Sequence, residues 1–214
     1  MIPDLFARDL PEACRQVLLV IAPHEKSIMA ELRMIERTSF EEWQQVGETI
    51  PVSLGRNGLA WGIGEHATAP PAGLPIKHEG DGCSPAGVFR LPFAFGDASV
   101  SEFRLPYISI TESLVAVDDP QSQFYNQVVD SAQVTKDWIS TEFMRREDGL
   151  YRWGALVAHN PANLPGAGSC IFLHLWRGKG MPTAGCTAME EVDLQHVLAW
   201  LDPSLEPRLV QGIA

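Results

Sequence analysis

Short apolar stretches punctuated by Gly (18) and Pro (16) run the whole length of the chain. That rhythm predicts a mainly β architecture rather than a helix bundle. The predicted strands are Arg15 to Ala22, Ile28 to Arg37, Val46 to Leu54, Val88 to Phe93, Leu114 to Val117, Tyr151 to Ala158 and Cys170 to Trp176. The second reads two ways: Ile28, Leu32 and Ile35 fit a helical stripe, while Ala30, Leu32 and Met34 fit alternation. One helix reads clearly. Leu194, Val197, Leu198 and Leu201 recur at helical spacing, Asp202-Pro203 stops them, and Thr187 with Glu190 forms a capping box that sets Thr187 as N-cap. The more polar stretch from Ser122 to Arg146 reads as a helix or an irregular excursion over the active face. No repeat, linker or shift in composition divides the 214 residues, so the chain reads as one domain with its core from about residue 15 to 212.

Apolar residues make up 45% and charged residues 20%, a globular composition that excludes a disordered or low-complexity chain. With 27 acidic against 16 basic side chains, the net charge is −11 and no basic footprint exists. This argues against a nucleic-acid or anionic-membrane partner. The longest uncharged apolar run, Val17 to Ala22, falls far short of the roughly 20 residues that span a bilayer, so no transmembrane segment is expected. Asp4, Asp9 and Glu12 stand where an export signal would be basic, leaving open a trimmed form, a cytosolic protein or another export route. Cys14, Cys83, Cys170 and Cys186 are scattered without a Cys-x-x-Cys pair, which is no disulfide framework.

Chemistry concentrates between Gly168 and Glu190. A strand from Cys170 to Trp176 turns Ile171, Leu173 and Leu175 to one face and Cys170, Phe172, His174 and Trp176 to the other. If the helix starts at Thr187, Cys186 sits at its N-terminus, where unpaired amides and the helix dipole lower a thiol's pKa. The same amides suit an oxyanion, and Gly185 leaves room for a substrate carbonyl. The loop from Arg177 to Gly185 is long enough to fold back and bring Cys186 to His174 as nucleophile and base, with a backbone carbonyl or an acid orienting the imidazole. Equally, Cys186 reads as a small residue in a tight turn and His174 as a satisfied core histidine. A metal site of Cys170, His174 and Cys186, with His159 or Cys83, requires the strand to be misread. Cys170 and His174 lie roughly 13 Å apart at strand rise, so no metal or other cofactor is expected.

His174 followed by Pro182-Thr-Ala-Gly-Cys-Thr187 resembles the signature of the L,D-transpeptidase (YkuD-like) family, a histidine, a loop and then Ser/Thr-x-Gly-Cys. The stretch Lys77-His-Glu-Gly-Asp-Gly-Cys-Ser-Pro-Ala-Gly-Val-Phe89 is similar to that family's Gly-Asp-Gly-x-Ser/Thr-Pro-x-Gly-x-Phe turn. Ile50 to Gly58, Val117-Asp-Asp-Pro120, Tyr125-Asn126 and His159-Asn160 extend the likeness over most of the chain. The resemblance implies a twisted β-sandwich with a short helix following the cysteine. It implies Cys186 as acylated nucleophile, His174 as base, and the amides of Gly185 and Cys186 as oxyanion hole. The implied substrates are peptidoglycan stem peptides, cut beside the L-centre of a diamino acid and passed as a thioester to a second stem's amine. The implied location is the periplasm or cell envelope.

Three positions depart from that pattern: Ala184 replaces a His, Leu175 a Gly after the catalytic His, and Ala188 an Arg that would grip a carboxylate. Arg152, Arg177 and Lys179 are candidate replacements for that grip, or solvated surface charges. Thr183, Trp176, His159 and Asn160 are candidate substrate contacts, with turn or core roles as the plain alternative. Hydrolysis of the same thioester would make an L,D-carboxypeptidase or amidase. A non-catalytic wall-binding module and an effector aimed at a competitor's wall are the other classes the sequence allows.

Overall fold

The computed structural model describes residues 2–38, 42–99 and 102–214. In chain order the elements are α1 (Asp4–Ala7), β1 (Gln16–Ala22), β2 (Met29–Arg37), β3 (Trp43–Ser53), β4 (Leu59–Trp61), β5 (Ser84–Arg90), β6 (Ala94–Gly96) and β7 (Tyr107–Ser109). There follow β8 (Leu114–Val117), β9 (Gln127–Asp130), β10 (Glu142–Phe143), β11 (Trp153–Leu156), β12 (Phe172–Leu175), β13 (Thr187–Met189), α2 (Glu191–Trp200), a 3-10 turn (Pro203–Leu205) and β14 (Arg208–Ile213). The protein is mainly β, and the predicted strands are present with shifted ends.

The apolar run of β1 is buried almost throughout because β1 is a central strand, paired with β2 antiparallel and with β14 parallel. Around it runs a mixed sheet in the order β4-β5-β14-β1-β2-β3-β13-β12-β11-β6-β7. In β2 the alternation of Ala30, Leu32 and Met34 prevails over the helical stripe, since those three side chains are buried between β1 and β3. The two ends of the sheet meet: Ala158 N–H donates to Arg90 O (3.0 Å) and Asn160 N–H to Ile63 O (2.8 Å). Leu59, Trp61 and Phe89 from one end thus share a core with Ala94, Ala155 and Leu173 from the other, so the sheet folds over itself as a sandwich.

A smaller sheet, β10-β8-β9, covers the opposite face of β12. Between them lies a second core of Phe95, Leu114, Met144, Tyr151, Phe172 and Cys186. The stretch from Ser122 to Arg146 is the irregular excursion, carrying only β9, β10 and turns.

The helix starts later than the capping box predicts. Residues 187–189 form β13, inserted between β12 (Leu173↔Thr187, Leu175↔Met189) and β3 (Ala188↔Ser53). Thr187 is buried and its hydroxyl donates to Gln211 Oε1 (2.7 Å) instead of capping an amide. A cap contributes only about 1 kcal/mol, less than burying Ala188 and Met189 in a sheet that supplies every backbone partner. The helix α2 begins at Glu191 with Glu190 as N-cap, and still buries Leu194, Val197 and Leu198 as the spacing predicts. Among the described residues, no helix is long and apolar enough to cross a membrane.

In β11, Gly154 stands between Phe95 and His174. A Cβ there would lie 2.2 Å from the Phe95 ring and 2.6 Å from Leu173 O, one of them immovable backbone. Gly154→Ala is expected to destabilise the protein by about 2 kcal/mol through overpacking, read as a lower urea midpoint at unchanged slope.

Candidate active site

Three segments far apart in the chain converge on Cys186. Its carbonyl oxygen accepts hydrogen bonds from Thr183 Oγ1 (2.6 Å) and from Ser84 Oγ (3.0 Å). Ser84 Oγ in turn accepts from Gly55 N–H (2.9 Å), while Thr183 N–H donates to Leu54 O and its carbonyl accepts from Arg56 N–H. The turn that delivers Ser84 is built on Asp81. Burial alone would raise the Asp81 carboxyl. Lys77 Nζ (2.6 Å) and the amides of His78 (2.9 Å) and Cys83 (2.8 Å) outweigh that and hold it below the usual carboxylate range. The two motifs that resemble the transpeptidase pattern therefore meet in space, through Ser84 and Cys186.

Gly185 packs against this turn, since a Cβ there would stand 3.1 Å from Cys83 O. Its amide donates to Thr183 Oγ1 (3.1 Å) in the resting protein. The amide that the resemblance casts as an oxyanion donor is thus held by the Thr183 hydroxyl at rest. Thr183 acts first as a clamp on the loop.

Cys186 and His174 line one cavity of about 300 Å³, together with Tyr151, Trp176, Thr183 and Ala184. The thiol donates to Cys170 O (3.6 Å) and accepts from Phe172 N–H (3.3 Å). His174 Nδ1 lies 2.7 Å from Leu175 O. A carbonyl only accepts, so Nδ1 carries the proton and Nε2 is left as the basic nitrogen. Tyr151 packs its ring edge-on against the imidazole (5.2 Å between centroids).

Burial sets the charge state of this pair. Desolvation pushes the Cys186 thiol up to about 12, with the nearby Glu142 carboxylate adding to it and the Phe172 amide partly offsetting it. Desolvation also lowers His174 to about 4, against the opposing pull of Leu175 O. The resting site is a neutral thiol beside a neutral imidazole. This reverses the expectation of a thiol activated by a helix terminus, because β13 and not α2 follows Cys186.

Of the cations around this site one, Arg177, is a sequence candidate, and two are residues that the sequence did not nominate. Arg56, Arg146 and Arg177 line the cavity, and Glu142 is its one carboxylate among the described residues. Arg146 is held over the Tyr151 ring (5.1 Å) and bidentately by Asp148 (2.8 and 2.6 Å). Arg177 reaches Asp148 at 3.7 Å, and Arg56 makes no ion pair among the described residues. Arg152, a sequence candidate, lies outside this cavity and faces Glu191 (3.4 Å). Lys179 is exposed and also outside it.

His159 and Asn160 are likewise placed elsewhere. His159 lines a separate groove of about 430 Å³ with Arg90, Leu156 and Asn163. Its Nδ1 accepts from Ile63 N–H (3.2 Å) and its Nε2 donates to Ala167 O (2.9 Å). Asn160 is fully buried and bonds Leu164 O, Gly168 O and Leu164 N–H, which staples its own loop. Both carry the turn role and not a contact to the cysteine cavity. Asn126, with a positive φ of 60°, ties this loop to Cys170 through its Oδ1 (2.9 Å). Among the described residues no His, Cys, Asp and Glu cluster suits a metal ion.

Comparison with protein-family models, with curated proteins and with solved structures returned no match.

Two outcomes are expected. First, alkylation of native Cys186 by iodoacetamide at pH 7 should be at least tenfold slower than in the unfolded chain and should accelerate up to and beyond pH 10, because little thiolate exists below about 12. Mass-mapped labelling rates measure this. Second, burial lowers His159 as well as His174 to about 4, while both titrate near 6.5 when unfolded. The unfolded chain then binds more protons between those values, so stability is fully present above about pH 6.5 and is lost as pH falls toward 4. Each histidine contributes about 3 kcal/mol to that loss. Denaturant titrations at pH 7, 5.5 and 4.5 should show the decline, and His159→Gln should show a shallower one.

Proposed function

We propose that the protein is a cysteine L,D-transpeptidase that acts on peptidoglycan stem peptides in the cell envelope through a thioester acyl-enzyme. The observation that carries this reading is the shared cavity of Cys186 and His174, in which Leu175 O holds the imidazole with Nε2 unprotonated. A neutral pair fits general-base chemistry. As the sulfur attacks the carbonyl beside the diamino acid's L-centre, the thiol proton turns from Cys170 O to Nε2, so charge forms only in the transition state. The imidazolium then gives that proton to the leaving D-Ala amine, the C–N bond breaks, and the acyl group stays on Cys186 as a thioester. A second stem's amine or water releases it.

The arginines support the same substrate. Stem peptides end in carboxylates, and Arg56, Arg146 and Arg177 supply at the cavity wall the grip that Ala188 lacks. Trp176, half-buried at the end of β12, adds an apolar face on the same wall.

Intact-protein mass spectrometry after incubation with a disaccharide-tetrapeptide tests the reading. Wild type should gain the mass of the acyl group with release of D-Ala. Cys186→Ala should gain nothing, and His174→Ala should acylate at least a hundredfold more slowly. Arg56→Ala should raise KM for the donor about tenfold with kcat little changed. A folded wild type that neither gains mass nor releases D-Ala would remove this function in favour of a wall-binding module.

A further inference from the structure

Glu142 stands in the cavity of a thiol that rests neutral. It is the carboxylate nearest in effect to Cys186 and works against a thiolate there. Its charge also acts on Arg146, which lines the same cavity, and Glu142 is only half-buried, so it is open to an incoming cation. Its position is also fixed with care. Tyr151, buried in the second core, donates its hydroxyl to Glu142 Oε2 (2.5 Å), and the same ring packs on His174. Glu142 and Arg146 are shared with a broad neighbouring groove of about 1220 Å³ whose other charged lining residues are Asp97, Glu112, Glu147, Asp148 and Arg145, the last paired with Glu112. Arg56 and Arg177 line the cysteine cavity alone, with Thr183, Trp176 and Pro182. The groove's lining thus carries five carboxylates against two arginines, the cavity's one against three.

The geometry points to Glu142, oriented by Tyr151, as the residue that binds the cationic amine of the acyl acceptor and guides it to the thioester along the acidic groove. This rests on the acyl-enzyme reading above. The ammonium docks on the Glu142 carboxylate and loses one proton to solvent. Its nitrogen lone pair then forms the new C–N bond with the thioester carbonyl, while the second proton passes to His174 Nε2. The C–S bond breaks, its electron pair returns to sulfur, and the imidazolium gives sulfur the proton. The products are an amide, a neutral thiol and a neutral imidazole. Water carries no charge for Glu142 to bind, so the same residue favours transfer over hydrolysis.

The test is a competition on the preformed thioester between a stem tetrapeptide amine, cationic at neutral pH, and hydroxylamine, which is uncharged there. In Glu142→Gln the ratio of stem-amine product to hydroxylamine product should fall at least tenfold, and Glu142→Asp should recover part of it. Because the ratio is taken within each variant on the preformed thioester, a change in the rate of acylation that leaves both transfers alike cancels from it. Tyr151→Phe, which keeps the ring but frees Glu142, should shift the ratio the same way by a smaller factor. A ratio unchanged in Glu142→Gln, or acylation slowed in step with both transfers, would overturn the inference and leave Glu142 as a support for His174. Absence of any thioester on wild-type Cys186 would overturn the acyl-enzyme reading itself and this inference with it.

Discussion

The carbonyl oxygen of Cys186 is the point at which the molecule is locked. It is buried, so both lone pairs need donors, and it draws them from the Thr183 and Ser84 hydroxyls. Ser84 is itself set by Gly55 N–H and by the Asp81 turn, whose buried ion pair with Lys77 is satisfied on every side. Removing any one of these donors leaves a buried acceptor unpaired, at about 1–3 kcal/mol. The sulfur's position is therefore fixed by the backbone that carries it, with contributions from residues more than a hundred positions away.

The same enclosure governs reactivity. A cysteine at a helix N-terminus stores its activation in the ground state as a thiolate. Here β13 follows the cysteine, the thiol is buried, and the imidazole is kept neutral by desolvation. In the proposed reaction, proton transfer waits until an electrophile is bound. Such a site is sheltered from adventitious alkylation and oxidation, which act on thiolates. Its orienting acceptor is Leu175 O, a main-chain atom that cannot titrate.

Charge is distributed over this cavity against the trend of the whole chain. A protein with 27 acidic and 16 basic residues lines this cavity with three arginines and a single tyrosine-held glutamate. Charges in such a half-enclosed site act more strongly on one another and on anything that enters than they would in open water. The excursion from Ser122 to Arg146, which contains β10, supplies both Glu142 and Arg146, so the least regular part of the chain furnishes two of the cavity's charged side chains.

Alternation along residues 170–176 was enough to place His174 on one face with Phe172 and Cys170, and Leu173 with Ile171 on the other. Those faces became the second core and the main core. A strand's faces are written in its own residues, because side chains alternate whatever the partner strand is. The helix carrying Leu194, Val197 and Leu198 was legible for the same local reason. Its start was not. Thr187 and Glu190 match a capping box, yet the gap between β12 and β3 took residues 187–189 as a strand, and no local pattern records that vacancy. Nor could spacing reveal that Arg56, Glu142, Arg146 and Tyr151 share a cavity with Cys186, or that His159, Asn160 and Arg152 do not. Local periodicity determines what each segment can be; the pairing of distant strands, settled by burial summed over the whole sheet, decides which segments meet and what charge their side chains carry there.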